Sequence, residues 1–317
     1  MSLPFQSNRF ETAMLAAFLT TIFFSISVIC GNRSAQMIGG SEANFWRLTC
    51  ATAFLSLYAL TLGQGLSGAS FSIFVASGII GIGVGDVALF QALPRLGSRL
   101  TLLLVQCLTA PFGAAIEWLW LGTELSPMQM FFGAVILSGI AISLMPGRGL
   151  HLQKKAILPG VLFSIVAAIA QAYGAVLSRK AYAVADEHDE HIDGATAAFQ
   201  RILGGLLIGG ISLLVVKWRN IRDHLIREGE TLPSKEKWRR VLPWVVANSL
   251  AGQTLGVSCY QWAFQTTPTG IVLPIVATTP LVAIPFTMAV EKERPSLHSI
   301  IGGVIAVIGV IGLALVK

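Results

Sequence analysis

Ten long apolar stretches follow one another along the chain and leave little sequence for a soluble domain. They are centred within residues 10–31, 43–63, 71–94, 99–121, 128–146, 156–178, 195–217, 241–264, 269–290 and 297–316. An α-helix needs about 20 mainly apolar residues to cross about 30 Å of hydrocarbon. Only 12% of the residues are charged, against about a quarter in soluble domains. The pattern predicts an all-α integral membrane protein with ten transmembrane helices.

Two similar phrases, PFGAAIEWLWLGTELS and PLVAIPFTMAVEKERPS, occur in different parts of the chain. A shift of 169 residues places Pro111 on Pro280 and Glu124 on Glu293. In each phrase a proline within an apolar run is followed thirteen residues later by a glutamate. The chain is therefore predicted to contain a duplication.

A second match extends this duplication toward the start of each copy. FWRL lies over FQRI, which pairs Arg47 with Arg201 near the start of the second and seventh apolar stretches. The copies are predicted to span residues 1–150 and 151–317, with five helices each. Because five crossings reverse the direction of entry, the second copy is expected to be inverted. Inverted repeats are typical of secondary transporters, whose substrate site lies between the repeats near the midplane.

The two copies resemble the EamA repeat of the drug/metabolite transporter superfamily. The resemblance rests on the five-helix halves, the arginine that opens the second helix, and a proline-containing fourth helix ending in LGTELS before a glycine-rich fifth helix. The second copy departs from the pattern, since VEKERPS lacks the glycine that usually precedes the glutamate. The resemblance implies a ten-helix basket around a central cavity, export of amino acids, other metabolites or drugs, and a multi-pass location in the plasma (bacterial inner) membrane.

Repeat and resemblance together predict a secondary active transporter that exports a small polar or amphipathic metabolite by alternating access. The chain has no GxxxxGK[ST] phosphate loop, so an ion gradient is the expected energy source, with the proton as the candidate coupling ion. Two alternatives stay open, a lipid-flipping protein and a non-transporting structural or sensory membrane protein of the same fold. The expected partners are a small-molecule substrate and the lipid bilayer.

Enzymatic and nucleic-acid functions are not indicated. The sequence has no GxSxG phrase for a nucleophilic serine, and each of its five histidines lies in a loop or at the edge of an apolar stretch. The acidic run DEHDEH is interpreted as a solvated loop, and GIGVGD as a helix-packing face formed by Gly81 and Gly85. No cofactor, metal site or nucleic-acid partner is expected.

Asp86 is the ionisable residue predicted to lie deepest in the membrane. It precedes the loop near residue 97 by about ten residues, or roughly 16 Å of helix, and Gln106 follows that loop by roughly 14 Å. Both are therefore expected at one level of the cavity. Asp86 is interpreted as a partner for a cationic group or a proton acceptor, or else as a structural acid bonded to a neighbouring helix or to Arg47. Glu117, near 30 Å, is expected to reach the headgroups at the far interface.

Arg47 and Arg201 form a matched pair, which can bind an anionic group such as a substrate carboxylate. The alternative is that each snorkels toward the interface or braces a helix end. Further polar candidates for the cavity wall are Gln91, Gln171, Tyr173, Gln200, Asn248, Gln253, Tyr260, Gln261 and Trp262. Pro111, Pro280 and Pro285 are hinge candidates, because a proline frees a backbone carbonyl one turn upstream.

The distribution of Lys and Arg bears on orientation. Loops after odd-numbered helices carry 16 of these residues, half of them between 217 and 240, and the other side carries 4. Since cytoplasmic loops are enriched in Lys and Arg, this count places both termini outside the cytoplasm. The family resemblance places them inside, and both orientations stay open.

Overall fold

The structure of the protein is a computed structural model that describes residues 4–145, 154–224, 235–291 and 297–316. Its α-helices are α1 (Pro4–Ile38), α2 (Gly40–Thr61), α3 (Phe71–Gly78), α4 (Gly85–Leu121), α5 (Pro127–Leu144), α6 (Lys154–Glu187), α7 (Gly194–His224), α8 (Lys235–Asn248), α9 (Val257–Thr266), α10 (Thr269–Val276), α11 (Thr279–Glu291) and α12 (Leu297–Leu315). Two π-helical segments, Ile79–Val84 and Ser249–Gly256, join α3 to α4 and α8 to α9. These ranges contain no β-strand, and the all-α prediction is confirmed.

Eight helical stretches of the described residues are long and apolar enough to cross a membrane. They are Glu11–Ile38, Phe71–Leu96, Leu100–Leu121, Pro127–Leu144, Ala156–Glu187, Gly194–Val216, Thr269–Phe286 and Leu297–Leu315. The predicted spans 43–63 and 241–264 are also helical, as α2 and as α8, the second π-helical segment and α9, but they are not among the eight. The protein is thus a multi-pass membrane protein, and the count of ten spans stays a prediction.

The long helix α4 reverses its direction near its first third. Ala88 and Val105 pack in one cluster with Ala167 of α6, although 17 residues of straight helix would separate them by about 25 Å. Between them, Leu96 lies against Gly160, near the start of α6. The chain therefore turns back near residue 97, as predicted, while its backbone stays helical. Both branches of α4 run along α6.

Helix pairing relates the two halves by an approximate two-fold exchange. α2 packs on α7 and α5 on α12, so matched helices meet each other. α1 packs along α8, the second π-helical segment and α9, while α3, the first π-helical segment and α4 pack along α6. The second of these sets of contacts is the counterpart of the first, because α6 is the first helix of its half, as α1 is. A duplicated chain whose copies face each other in this way leaves an enclosed space between them.

Close backbone approaches between glycines bring paired helices together. A Cβ on Gly302 of α12 would lie 2.4 Å from the carbonyl oxygen of Gly139 in α5. A Cβ on Gly174 of α6 would lie 2.6 Å from the Cα of Gly81. Side chains at these positions would push the helices apart, so the prediction that Gly81 belongs to a helix-packing face is confirmed. These contacts fix the walls of the space between the halves.

Candidate functional site

A cavity of about 250 Å³ lies between the two halves. Helices of both halves contribute to its wall, together with both π-helical segments. Seven of the predicted site residues line it: Arg47, Asp86, Gln106, Gln171, Arg201, Gln253 and Tyr260. Asp86 and Gln106 were expected to face one cavity from antiparallel helices. Both line this cavity, and α4 turns back between them.

The π-helical segments position part of this wall. The first, IIGIGV, ends two residues before Asp86, and the second, SLAGQTLG, contains Gln253. A π-helical turn contains an extra residue, so it rotates the side chains that follow relative to those before it, and such turns are frequent at functional sites. Their near-matched positions in the two halves were not predicted, because glycine-rich apolar runs read as ordinary helix.

Arg47 and Asp86 form an ion pair on the cavity wall. Nη2 of Arg47 donates to a carboxylate oxygen of Asp86 at 3.0 Å and also to Oδ1 of Asn44 at 2.5 Å. Their side chains are 19% and 18% exposed. The carbonyl oxygen of Arg47 accepts a hydrogen bond from Ser249 at 2.9 Å, which ties α2 to the second half. The geometry of Asp86 is that of an acid bonded to Arg47, as one of the interpretations expected. Both residues of the pair still face the cavity.

Arg201, the counterpart of Arg47, has a different environment. It is only 4% exposed, and no carboxylate of the described residues forms an ion pair with it. Its Nε has no hydrogen-bond partner, and Gly81 leaves room for its guanidinium, since a Cβ there would lie 3.1 Å from Nη2. Tyr260 lies in the cavity wall together with Arg201. The matched arginines thus differ, one neutralised and the other carrying an uncompensated positive charge.

The remaining wall of the cavity is amphipathic. Gln253 presents a buried side-chain oxygen that has no hydrogen-bond partner, and Gln171 lines the wall as predicted. Phe24 and Val28 of α1 supply an apolar surface, together with Leu273 of α10. A ligand that suits this space has a polar end and an apolar body.

Other predicted wall residues lie elsewhere. Gln91 lines a separate cavity of about 50 Å³, where its side-chain oxygen accepts from Arg95 at 3.0 Å. Gln261 is fully buried outside the central cavity, and Trp262 lines a shallow groove beside His191. These residues were predicted from polarity within an apolar run, which does not reveal the direction of the side chain.

Three further candidates make structural contacts instead of lining the cavity. Tyr173 stacks on Trp120 with ring centroids 5.6 Å apart. Gln200 donates to the carbonyl oxygen of Gly65 at 3.0 Å. Asn248 accepts from Ser27 at 2.6 Å, between the two halves. Each therefore makes a hydrogen bond or ring contact with another segment of the chain, and such contacts are the commoner role for polar groups in membrane helices.

The prediction that Glu117 reaches the headgroups is wrong. Its side chain is buried and accepts from Nε of Arg179 at 3.1 Å. Its other oxygen accepts from the backbone N–H of Thr269 at 2.6 Å and from the hydroxyl of Thr269 at 2.5 Å. A carboxylate is favourable here, because the N–H group opens helix α10. Sequence reasoning missed Arg179, which lies at the end of the predicted sixth span and was counted only as a loop charge.

A set of contacts joins the halves at the end of the molecule where α2, α4 and α6 finish. We name it the loop seal and define it by Gln64, Glu117, Arg179, Glu190 and Gln200. Gln64 donates to the carbonyl oxygen of His191, and the Glu190 carboxylate accepts from the backbone N–H of Ala69 at 3.0 and 3.2 Å. The run DEHDEH, interpreted as a solvated loop, therefore docks on the other half through Glu190. The loop seal covers one end of the interface between the halves.

One hinge candidate lies at a true break in the helical path. α10 ends at Val276 and α11 begins at Thr279, so Pro280 occupies the first turn of α11. Proline cannot donate to the carbonyl of Val276, and the hydroxyl of Thr279 donates to it instead at 2.6 Å. Val276 and Thr279 both line the cavity. Pro111 lies inside the second branch of α4, and Pro285 lies inside α11.

These features define a class: a multi-pass membrane protein of two related halves, with a charged cavity enclosed between them. The model of the EamA-like transporter family matches residues 11–145 and again residues 158–315. The chain belongs to the EamA-like transporter family, which confirms the resemblance, and it is a membrane transporter of the drug/metabolite type. Members of this family are transporters and not enzymes.

Other comparisons concern the fold. No curated protein matches the chain. Among 29 matching chains of solved structures, one crystal structure of a protein superposes with a TM-score of 0.71 at 17% identity, covering 95% of this chain and 96% of that chain. At this identity the likeness shows a shared fold alone.

Proposed function

We propose that the protein is a secondary active transporter that exports a small amphipathic metabolite by alternating access. The observation that carries this proposal is the cavity of about 250 Å³ between the halves, with Arg47, Asp86 and Arg201 in its wall. Buried charges in a membrane protein are costly and mark substrate or ion pathways. The volume is close to the lower end of small-molecule sites, about 300 Å³, and it favours a metabolite over a lipid.

In this proposal, residues 1–150 and 151–317 act as inverted repeats of five helices that rock against each other. The loop seal closes one end of the cavity in the state described. Opening requires the bonds of Glu190 and Glu117 to the other half to break, while the break at Pro280 supplies a place for the helix to bend. The Arg47–Asp86 pair is the candidate coupling element, because a proton on Asp86 would release Arg47. We place the protein in the bacterial inner membrane.

A labelling experiment tests alternating access without knowledge of the substrate. The native cysteines Cys30, Cys50, Cys107 and Cys259 are replaced by alanine, and Gln253→Cys supplies one thiol in the cavity. The protein is reconstituted in liposomes with known orientation, and a membrane-impermeant maleimide is added to one side at a time. Thr61→Cys, at the exposed end of α2 beside the loop seal, reports which face the reagent reaches.

We expect Gln253→Cys to react mainly from the face opposite the loop seal. Adding Glu190→Ala removes the acceptor for Ala69 and should raise the labelling rate from the sealed face severalfold. Glu187→Ala, an exposed residue of the same segment, is the matched control and should leave the rates unchanged. Labelling that is confined to one face in all backgrounds, or absent from both, contradicts alternating access and favours a static membrane protein.

A further inference from the structure

We infer that the substrate is a small organic anion whose carboxylate binds the guanidinium of Arg201. This inference rests on the proposed function and deepens it by naming the substrate class. It is carried by one asymmetry: the two halves place an arginine at matched positions, yet among the described residues Arg47 has an acidic partner and Arg201 has none. The cavity therefore has a net positive charge that the described residues do not balance.

Burial makes the charge of Arg201 informative. A cation in hydrocarbon is unfavourable unless it is paired, and buried arginines normally pair with carboxylates or carbonyl groups. Arg201 is 4% exposed, and its Nε has no hydrogen-bond partner. It reaches the cavity wall. An arginine held without a partner next to an open space is positioned to receive one from a ligand.

The guanidinium also selects the chemistry of that ligand. Arg offers planar paired donors that fit a carboxylate through two parallel hydrogen bonds. Tyr260, in the same wall, adds a polar group to the cavity. A cationic group would be repelled by Arg201, and Asp86, the carboxylate in the described cavity wall, is already paired with Arg47 at 3.0 Å.

The shape of the cavity limits the rest of the ligand. Phe24, Val28 and Leu273 provide an apolar surface beside the polar groups. The volume of about 250 Å³ equals that of about eight water molecules at roughly 30 Å³ each. The substrate is therefore an anion with one short apolar body, and the net charge of the wall matches a single carboxylate.

Thermal stabilisation of the full-length protein in detergent tests the inference with two series of matched compounds. One series is phenylacetate, phenylacetamide and phenethylamine, and the other is hexanoate, hexanamide and hexylamine. Because ligands that bind only the folded state raise its melting temperature, titration gives an apparent Kd for each compound. The series separate charge from the size of the apolar body.

We expect the carboxylate of at least one series to bind about 10 to 100 times more tightly than its amide, the range for a charge-assisted hydrogen bond. Arg201→Gln should weaken carboxylate binding by a similar factor and remove the preference over the amide. Arg201→Lys, which keeps the charge but loses the paired donors, should be intermediate. Arg95→Gln, the same change at a half-buried arginine outside the cavity, should not alter binding.

Three results would overturn the inference. They are tighter binding of an amide or amine than of its carboxylate, carboxylate binding that survives Arg201→Gln in a folded protein, and no stabilisation by any of the six compounds. Circular dichroism and gel filtration of both Arg201 variants establish that they fold. The transport proposal is judged separately, because labelling of Gln253→Cys from alternate faces requires no ligand.

Discussion

Arg47 and Asp86 contact each other at 3.0 Å on the cavity wall, and both are still reached by solvent at 19% and 18% of their side-chain surface. The pair joins α2 to the start of α4 within one half. Its position gives it two roles at once: it fixes the local structure, and it places a titratable carboxylate in a proposed transport pathway. The first prediction separates these roles.

Asp86→Asn should lower the free energy of unfolding by about 2 kcal/mol, because it leaves Arg47 without its counter-charge. Arg47→Gln added to it should restore most of that loss. Unfolding in mixed micelles with increasing SDS measures all four proteins of this cycle, and the expected coupling is about 1 to 3 kcal/mol. If the two single losses simply add, the contact does not contribute to stability, and Asp86 is free to serve the substrate.

Glu117 is predicted to stabilise the packing between the halves. Glu117→Gln removes the charge that Arg179 pairs with and weakens the bonds to Thr269. The side chain is 1% exposed, so we expect a loss of about 3 to 5 kcal/mol, the usual cost of breaking a buried ion pair. Glu124→Gln, on the same segment but exposed, should change stability by less than about 0.5 kcal/mol. Equal effects of the two changes would contradict a specific role for Glu117.

The sequence predicted the residues brought together by helix geometry better than those joined across the halves. Helix rise placed Asp86 and Gln106 at one level, and the duplication paired Arg47 with Arg201. Rise also placed Glu117 near the end of its helix, but the expectation that its carboxylate reaches the headgroups was wrong, because that carboxylate bonds to Arg179 in the other half. A local pattern gives depth along a helix but not the neighbour across it.

Side-chain direction was the second limit of the sequence. Gln253 and Gln261 are eight residues apart in apolar surroundings, yet only Gln253 faces the cavity. The π-helical segment that contains Gln253 changes the rotation of the helix at this point. Periodicity of 3.6 residues cannot be extended through such a segment, so the faces of α8 and α9 could not be predicted.

Arg201 should destabilise the protein when no ligand is present. Arg201→Met keeps much of the side-chain volume and removes an unpaired buried charge, whose cost on insertion scales is about 2.5 to 3.5 kcal/mol. We expect the melting temperature of the ligand-free protein to rise. Arg179→Met is the matched comparison. Its melting temperature should fall, because this change leaves Glu117 buried without its partner. A fall for Arg201→Met as well would mean that Arg201 is paired in solution, which contradicts the anion site.

Thr279 is predicted to compensate for the break that Pro280 makes in the helical path. Its hydroxyl donates to the carbonyl oxygen of Val276 at 2.6 Å, and the residue is 4% exposed. Thr279→Val has nearly the same shape but leaves that carbonyl without its donor, which should cost about 1 to 3 kcal/mol. Thr61→Val removes a comparable hydroxyl, bonded to Leu57 at 2.5 Å at an exposed position, and should have little effect.

The same pair of variants tests whether the break at Pro280 acts as a hinge. Ser25 of α1 donates to the carbonyl oxygen of Thr279 at 2.9 Å, which holds this turn against α1. The hydroxyl of Thr279 at the same time donates to the carbonyl oxygen of Val276. If α11 bends here during transport, Thr279→Val loosens the turn and should change the ratio of labelling rates of Gln253→Cys from the two faces. Thr61→Val should leave that ratio unchanged. A stability loss with no change in the ratio would show that the break is a fixed feature of the cavity wall, and Pro280 would no longer be a hinge candidate.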